Sequence, residues 1–152
     1  MDTQALIQDF LLVAKLAEAR LDKSEIEVEI LKAPHRPPSR LPAGKMAVYI
    51  FSYGDIVLKV GQAGPKSGAR YTSQHYNATS APSTLAASLL KGGGEIGVSD
   101  LTVESAGDWI KKNTDRINFL LKTEHGVPVL TLLEVFLQCK LKPRFEGFAS
   151  QR

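Results

Sequence analysis

Hydrophobic and polar positions change period several times along the chain, and each change predicts an element. Over residues 3–20, Leu6, Ile7, Phe10, Leu11, Ala14 and Ala17 recur at helical spacing, which predicts an amphipathic helix whose apolar stripe has to dock somewhere. Residues 25–30 alternate between carboxylates and Ile26, Val28 and Ile30, the pattern of a strand with one apolar and one acidic face. The acidic face would repel DNA. Residues 33–45 then hold four prolines and a glycine. Proline neither extends a helix nor joins a central strand, so this stretch reads as a linker. It separates an N-terminal extension, residues 1–45, from a main domain, residues 46–152.

Residues 46–53 and 56–61 flank Gly54-Asp55 and are rich in β-branched and aromatic side chains, which predicts a hairpin. A simple two-residue turn would mix apolar and charged side chains on each face. A three-residue loop, Tyr53-Gly54-Asp55, instead groups Val48 and Ile50 with Leu58 and Val60, and Tyr49 and Phe51 with Val57, Lys59 and Gly61. Burial favours that register, which sets Tyr49 directly opposite Lys59. Residues 68–77 read as a short helix with Arg70, Gln74 and Asn77 along one side, and residues 83–91 as a second. Gly92-Gly93-Gly94 lacks the Lys-Ser/Thr of a phosphate-binding loop and reads as a flexible connection. Residues 108–113 are helical, Ile117, Phe119 and Leu121 alternate as a third strand, and a final helix runs from about 129 to 141 before Pro143. The expected class is α+β: a small, mainly antiparallel three-stranded sheet flanked by helices, with a helix and strand as N-terminal extension.

Composition narrows the setting. A chain of 152 residues with 43% hydrophobic content is enough for one core and too little for two full domains. The net charge of +3 divides into −4 over residues 1–31 and +7 beyond, so an acidic arm precedes a basic body. A basic body raises the expectation of a phosphate-bearing partner. The acidic arm would bind a protein partner or cover the basic groove. Cys139 is the sole cysteine, which excludes an internal disulfide and a cysteine-based zinc site and fits a reducing cytoplasm. The apolar run at residues 10–14 is too short to span a bilayer and follows an acidic start. A soluble cytoplasmic protein without membrane attachment is expected.

Four side chains raise chemical questions. Glu134 is the only acidic residue between Glu124 and Glu146 and lies in an apolar helix, where a carboxylate needs a partner. It either closes a capping box with Thr131 or offers a hard oxygen to a divalent metal. Lys59 lies between Leu58 and Val60 and is either solvated at an edge or placed against Tyr49, where its charge would favour phenolate and help to activate water. Arg70 is a surface helix residue or a planar fork for phosphate. His35, His75 and His125 are widely spaced and match no metal template, so each reads as structural or exposed.

The order of hairpin, Arg-bearing helix, third strand, Glu-bearing helix and proline resembles the GIY-YIG nuclease family. Ala47-Val48-Tyr49 stands where that family has Gly-Ile-Tyr and Lys59-Val60-Gly61 where it has Tyr-Ile-Gly, with the family's ten positions from Tyr49 to Lys59. Arg70 falls at the helix arginine, Glu134 at the metal-binding glutamate, and Pro143-Arg144-Phe145 at the Pro-x-aromatic ending of excision-repair members. The resemblance spans residues 46–147. Lys59 replaces the second signature tyrosine, Gln74 stands where many members have His with His75 next to it, and Glu146 stands in place of an Asn.

The resemblance implies a divalent-metal-dependent endonuclease that hydrolyses DNA phosphodiester bonds, of restriction, defence or mobile-element type, using Mg²⁺ or Mn²⁺. Tyr49 would be general base or relay, Lys59 its activator, Arg70 the phosphate stabiliser and Glu134 the metal ligand. Lys66, Ser73, His75, Tyr76 and Arg144 are candidate substrate contacts. Double-stranded DNA is the expected partner. A homodimer would pair through Leu6, Phe10 and Leu11, unless that face packs on its own core. The alternative function is an inactive nucleic-acid-binding module or nuclease subunit of the same fold.

Overall fold

Four strands, β1 (Glu27–Leu31), β2 (Lys45–Tyr53), β3 (Ile56–Ala63) and β4 (Asp115–Lys122), pair antiparallel in the order β1-β4-β2-β3 in the computed structural model, which describes residues 1–145. Helices α1 (Thr3–Leu16) and α5 (Gly126–Leu141) pack on one face of this sheet; α2 (Gly68–Thr72), α3 (Leu85–Gly92) and α4 (Ala106–Asn113) cover the other. The α+β class is as expected. The sheet has four strands rather than three because the acidic strand β1 joins β4 along its whole length.

The apolar stripe of α1 docks on its own core. Leu6, Ile7, Phe10 and Ala14 are buried with Leu130, Leu133 and Leu137 of α5, and Leu11 is partly buried beside them. Burying a residue such as Phe10 stabilises the fold by about 2–3 kcal/mol. Asp2 caps the helix by accepting from Gln4 N–H and Ala5 N–H, and Asp9 pairs with Lys140 of α5. The face proposed for dimerisation is therefore covered within one chain.

The carboxylates of β1 are likewise engaged. Glu27 pairs with Lys45 at 2.6 Å, and Glu29 accepts from Tyr71 Oη (2.9 Å) and Asn118 Nδ2 (2.7 Å). This corrects the expectation of a free acidic face, and an arm built into the sheet cannot cover a groove without unpairing β1. The proline-rich stretch has no regular structure, yet His35 within it is buried: its backbone N–H donates to Lys111 O and its Nδ1 lies 2.8 Å from Thr114 O. Residues 1–45 share one core with the rest of the described chain.

The hairpin register differs from the expected one. The turn has two residues, Gly54-Asp55, with Gly54 at φ +55°, and Tyr53 pairs with Ile56. A β-bulge at Leu58 then shifts the ladder, so that Phe51 lies opposite Lys59 and Tyr49 opposite Gly61. Tyr49 and Lys59 keep a common face but are offset by two pairs, with Ile50–Val60 between. The extra residue also turns Leu58 into the second layer beside Tyr49 and Phe51, and sends Val57 to the first.

Two further expectations are corrected. Gly92-Gly93-Gly94 is no loose connection: α3 runs into the 3₁₀ turn Gly93–Ile96, and Gly93 packs so closely that a Cβ would stand 2.7 Å from Val98 O. The last helix starts at Gly126 rather than near 129, which places Thr131 and Glu134 inside it. The Thr131–Glu134 capping box is thereby removed, and Thr131 Oγ1 pairs with the Gln62 amide instead (3.3 Å). Among the described residues no helix is long and apolar enough to cross a membrane.

Candidate active site

Strand pairing lines up two rows of side chains across the sheet, on the face covered by α2, α3 and α4. One row is Glu29, Asn118, Tyr49 and Gly61; the next is Leu31, Arg116, Phe51 and Lys59. Polar groups in central strands are tolerated only when their hydrogen bonds are met. Each of these is met by another member of the rows, by the layer above or, for Lys59, by the segment after α5.

Tyr49 is fully buried. Its ring lies across Gly61, where an added Cβ would come within 2.6 Å of Oη and 2.8 Å of Cζ. Oη takes two hydrogen-bonding partners, Arg70 Nε at 3.0 Å and His75 Nε2 at 2.6 Å. The histidine's tautomer follows from its other nitrogen. Leu85 N–H can only donate, and it donates to His75 Nδ1 at 3.2 Å, so in the neutral ring the proton sits on Nε2 and is donated to Tyr49. Tyr49 Oη accepts from both neighbours, leaving its own proton a third direction.

The electrostatics suit that arrangement. Burial lowers the His75 pKa to about 3, helped by the positive charges of Lys59, Arg116 and Arg70, so the ring stays neutral. Burial raises the Tyr49 phenol above its ordinary value near 10; Arg70 and Arg116 oppose that shift, and Glu134 adds to it. Glu134 is half-buried on α5, which packs against β3, and its negative charge is felt at the phenol.

Lys59 is buried, and its Nζ donates to Phe145 O at 3.2 Å. The segment after α5 is held there because Arg144 N–H and Phe145 N–H donate to Val57 O and Leu58 O, both at 2.9 Å, along the edge of β3. Lys59, Lys91, Arg144, Ser83, Ser88 and Phe145 are among the residues that line a cleft of about 450 Å³. Arg144 also pairs with Glu95.

The structure thus gathers Tyr49, Lys59, Arg70, His75 and Glu134 in one region, with Arg144 on the neighbouring cleft. Others lie apart. Lys66 is exposed in the loop before α2, and Ser73 is exposed with its Oγ directed at Ala69 O. Tyr76 turns its hydroxyl inward, between His35 Nε2 (2.8 Å) and Arg116 Nη1 (3.2 Å). Glu146 lies outside the described residues.

His75 reaches Tyr49 because the expected helix over residues 68–77 stops early. After Thr72 the chain continues as the 3₁₀ turn Gln74–Tyr76, so α-helical spacing from Arg70 no longer applies. Sequence reasoning missed Arg116 and Asn118. Arg116 is fully buried, its guanidinium 4.9–5.4 Å from the ring centroids of Tyr71, Phe51 and Tyr49, and it donates to Asn118 Oδ1 (2.8 Å) and Tyr71 O (2.6 Å). Asn118 links it to Glu29. The available signal was the polar pair Arg116 and Asn118 alternating with Ile117 and Phe119 in a strand flanked on both sides.

No family model, no curated protein and no solved structure matches this chain. The site's chemistry rests on its own residues: a phenol oxygen held by two donors, with cations around it and a carboxylate within reach.

Proposed function

We propose that the protein is a divalent-metal-dependent endonuclease that hydrolyses phosphodiester bonds in double-stranded DNA. The observation that carries this reading is the Tyr49 oxygen, which accepts from Arg70 Nε and from His75 Nε2 beside a glycine that leaves no room for a side chain. The resemblance to GIY-YIG nucleases supports the same reading from the sequence.

Hydrolysis needs a proton acceptor for the attacking water, positive charge at the phosphorane and help for the leaving oxygen. Burial favours the protonated phenol, so Tyr49 orients the attacking water by donating its own O–H to the water oxygen along the third direction, and the water's proton passes to bulk solvent. Losing such an aimed donor costs about 10²–10³-fold. Neutral His75 fixes the phenol's orientation. Arg70, which donates to Tyr49 through Nε, brings a guanidinium charge to the phosphate beside the phenol. Glu134 supplies a single hard oxygen donor, which fits an ion that keeps much of its water. Bound there, Mg²⁺ or Mn²⁺ supplies Lewis-acid stabilisation of the leaving oxygen. Lys59, Lys91 and Arg144 add positive charge where the DNA backbone approaches.

A second reading, a nucleic-acid-binding module without hydrolysis, is favoured by one observation: the Lys59 ammonium is turned to Phe145 O and does not lie opposite Tyr49. Supercoiled plasmid separates the two. The nuclease reading expects nicking by the wild type in Mg²⁺, none with chelator and none by Glu134→Ala at an unchanged melting temperature. DNA binding without cleavage under all conditions supports the module.

A further inference from the structure

Outside the Tyr49 region, three potential ligands meet where the N-terminal segment touches the turn between β4 and α5. Glu25 ends the 3₁₀ turn Lys23–Glu25; Glu124 and His125 belong to the 3₁₀ turn Thr123–His125. One donor atom from each lies within 4.8 Å of the other two. Glu25 Oε1 and His125 Nε2 are 3.4 Å apart.

The histidine sets this cluster apart from an ordinary acidic patch. Its side chain is only 9% exposed, and its buried Nε2 makes no hydrogen bond with any described residue. A buried ring nitrogen without a hydrogen bond is unfavourable, and this one has the Glu25 carboxylate 3.4 Å away. Glu25 is braced, with Oε2 accepting from Asp22 N–H at 2.7 Å and Oε1 left toward His125. Glu124 is exposed, with Oε1 3.3 Å from Lys122 Nζ.

We propose that Glu25, Glu124 and His125 form a binding site for one divalent transition-metal ion of the Zn²⁺ and Co²⁺ class. Imidazole nitrogen selects these ions over Mg²⁺, which prefers an all-oxygen shell. Ligands about 2.0–2.2 Å from a metal stand roughly 3–3.5 Å from one another. The Glu25–His125 pair already has that spacing, and rotation of the exposed Glu124 side chain closes the rest. Two carboxylates and one imidazole leave a fourth position for water. The bound ion would fasten residues 22–25 to the start of α5, the helix that carries Glu134. This site is independent of the nuclease reading.

The test is Co²⁺ titration of the full chain, followed by visible d–d absorption, with melting temperature in parallel. With millimolar Mg²⁺ present throughout to fill the Glu134 site of the nuclease reading, the expected result is one Co²⁺ per chain, displaced by Zn²⁺, and a melting temperature raised by about 5–10 °C at a hundredfold excess over Kd. His125→Gln and Glu124→Gln should each weaken binding by at least about 10–100-fold. Glu134→Gln and Cys139→Ser should leave it unchanged. Glu124 is exposed, so Glu124→Gln remains informative even where His125→Gln fails to fold. The proposal is overturned if no saturable Co²⁺ binding occurs, if Glu124→Gln binds as tightly as wild type, or if Cys139→Ser removes the signal.

Discussion

Tyr49 lies directly opposite Gly61 in the β2–β3 hairpin, and its phenol ring occupies the space a Gly61 side chain would need. Gly61→Ala sets a Cβ 2.6 Å from Tyr49 Oη, so the ring must move away from Arg70 and His75. The expected outcome is a loss of about 1–3 kcal/mol in stability by urea unfolding and at least about 100-fold in nicking rate. Gly54→Ala is the matched control: it meets no atom within 4 Å and is strained only by φ +55°, so it should cost about 1 kcal/mol and leave activity intact.

The neutral state of His75 makes a pH prediction. Its folded pKa, about 3, is below the ordinary 6.5, so the unfolded chain binds the proton more readily. The stabilisation is therefore complete above pH 6.5 and is lost as pH falls from there toward 3, at up to about 1.4 kcal/mol per pH unit. His75→Gln removes this titration. Urea unfolding of both proteins from pH 7 to pH 4 should show a shallower decline in the variant; parallel declines would contradict the assignment.

Arg116 is the fully buried cation of the site. Arg116→Met keeps most of the volume but strips donors from Asn118 Oδ1 and Tyr71 O, and each acceptor left bare costs about 1–3 kcal/mol. We expect roughly 2–5 kcal/mol of destabilisation by urea unfolding. Arg116→Lys should recover little of it, because an ammonium cannot reproduce a fork that reaches Asn118, Tyr71 and Tyr76 together.

Much of the fold was legible because burial writes a period into the sequence. Leu6, Ile7, Phe10 and Ala14 form the helix stripe, and the face shared by Tyr49, Phe51, Lys59 and Gly61 follows from alternation. The exact partner of Tyr49 did not follow, because a bulge at Leu58 adds one residue to the ladder without disturbing the pattern upstream. Arg116 and Asn118 were missed for a different reason. Alternation in β4 marks Ile117 and Phe119 as buried, and the opposite positions then read as solvated unless a second layer is known to cover them. Of the candidate site, Tyr49 and Arg70 were readable as types, whereas the contact between His75 and Tyr49 depends on where α2 gives way to a 3₁₀ turn.

The account depends on the Tyr49 hydroxyl, and Tyr49→Phe removes that oxygen alone. Removal leaves the His75 Nε2 proton and Arg70 Nε without their acceptor, so a drop of about 1–3 kcal/mol in stability is expected. The decisive measurement is single-turnover nicking of supercoiled plasmid in Mg²⁺ by wild type and Tyr49→Phe at saturating protein, below both melting temperatures, with DNA affinity measured in chelator. The account predicts that the variant binds within about threefold of wild type and nicks at least about 100-fold more slowly. Nicking by Tyr49→Phe at the wild-type rate would contradict it.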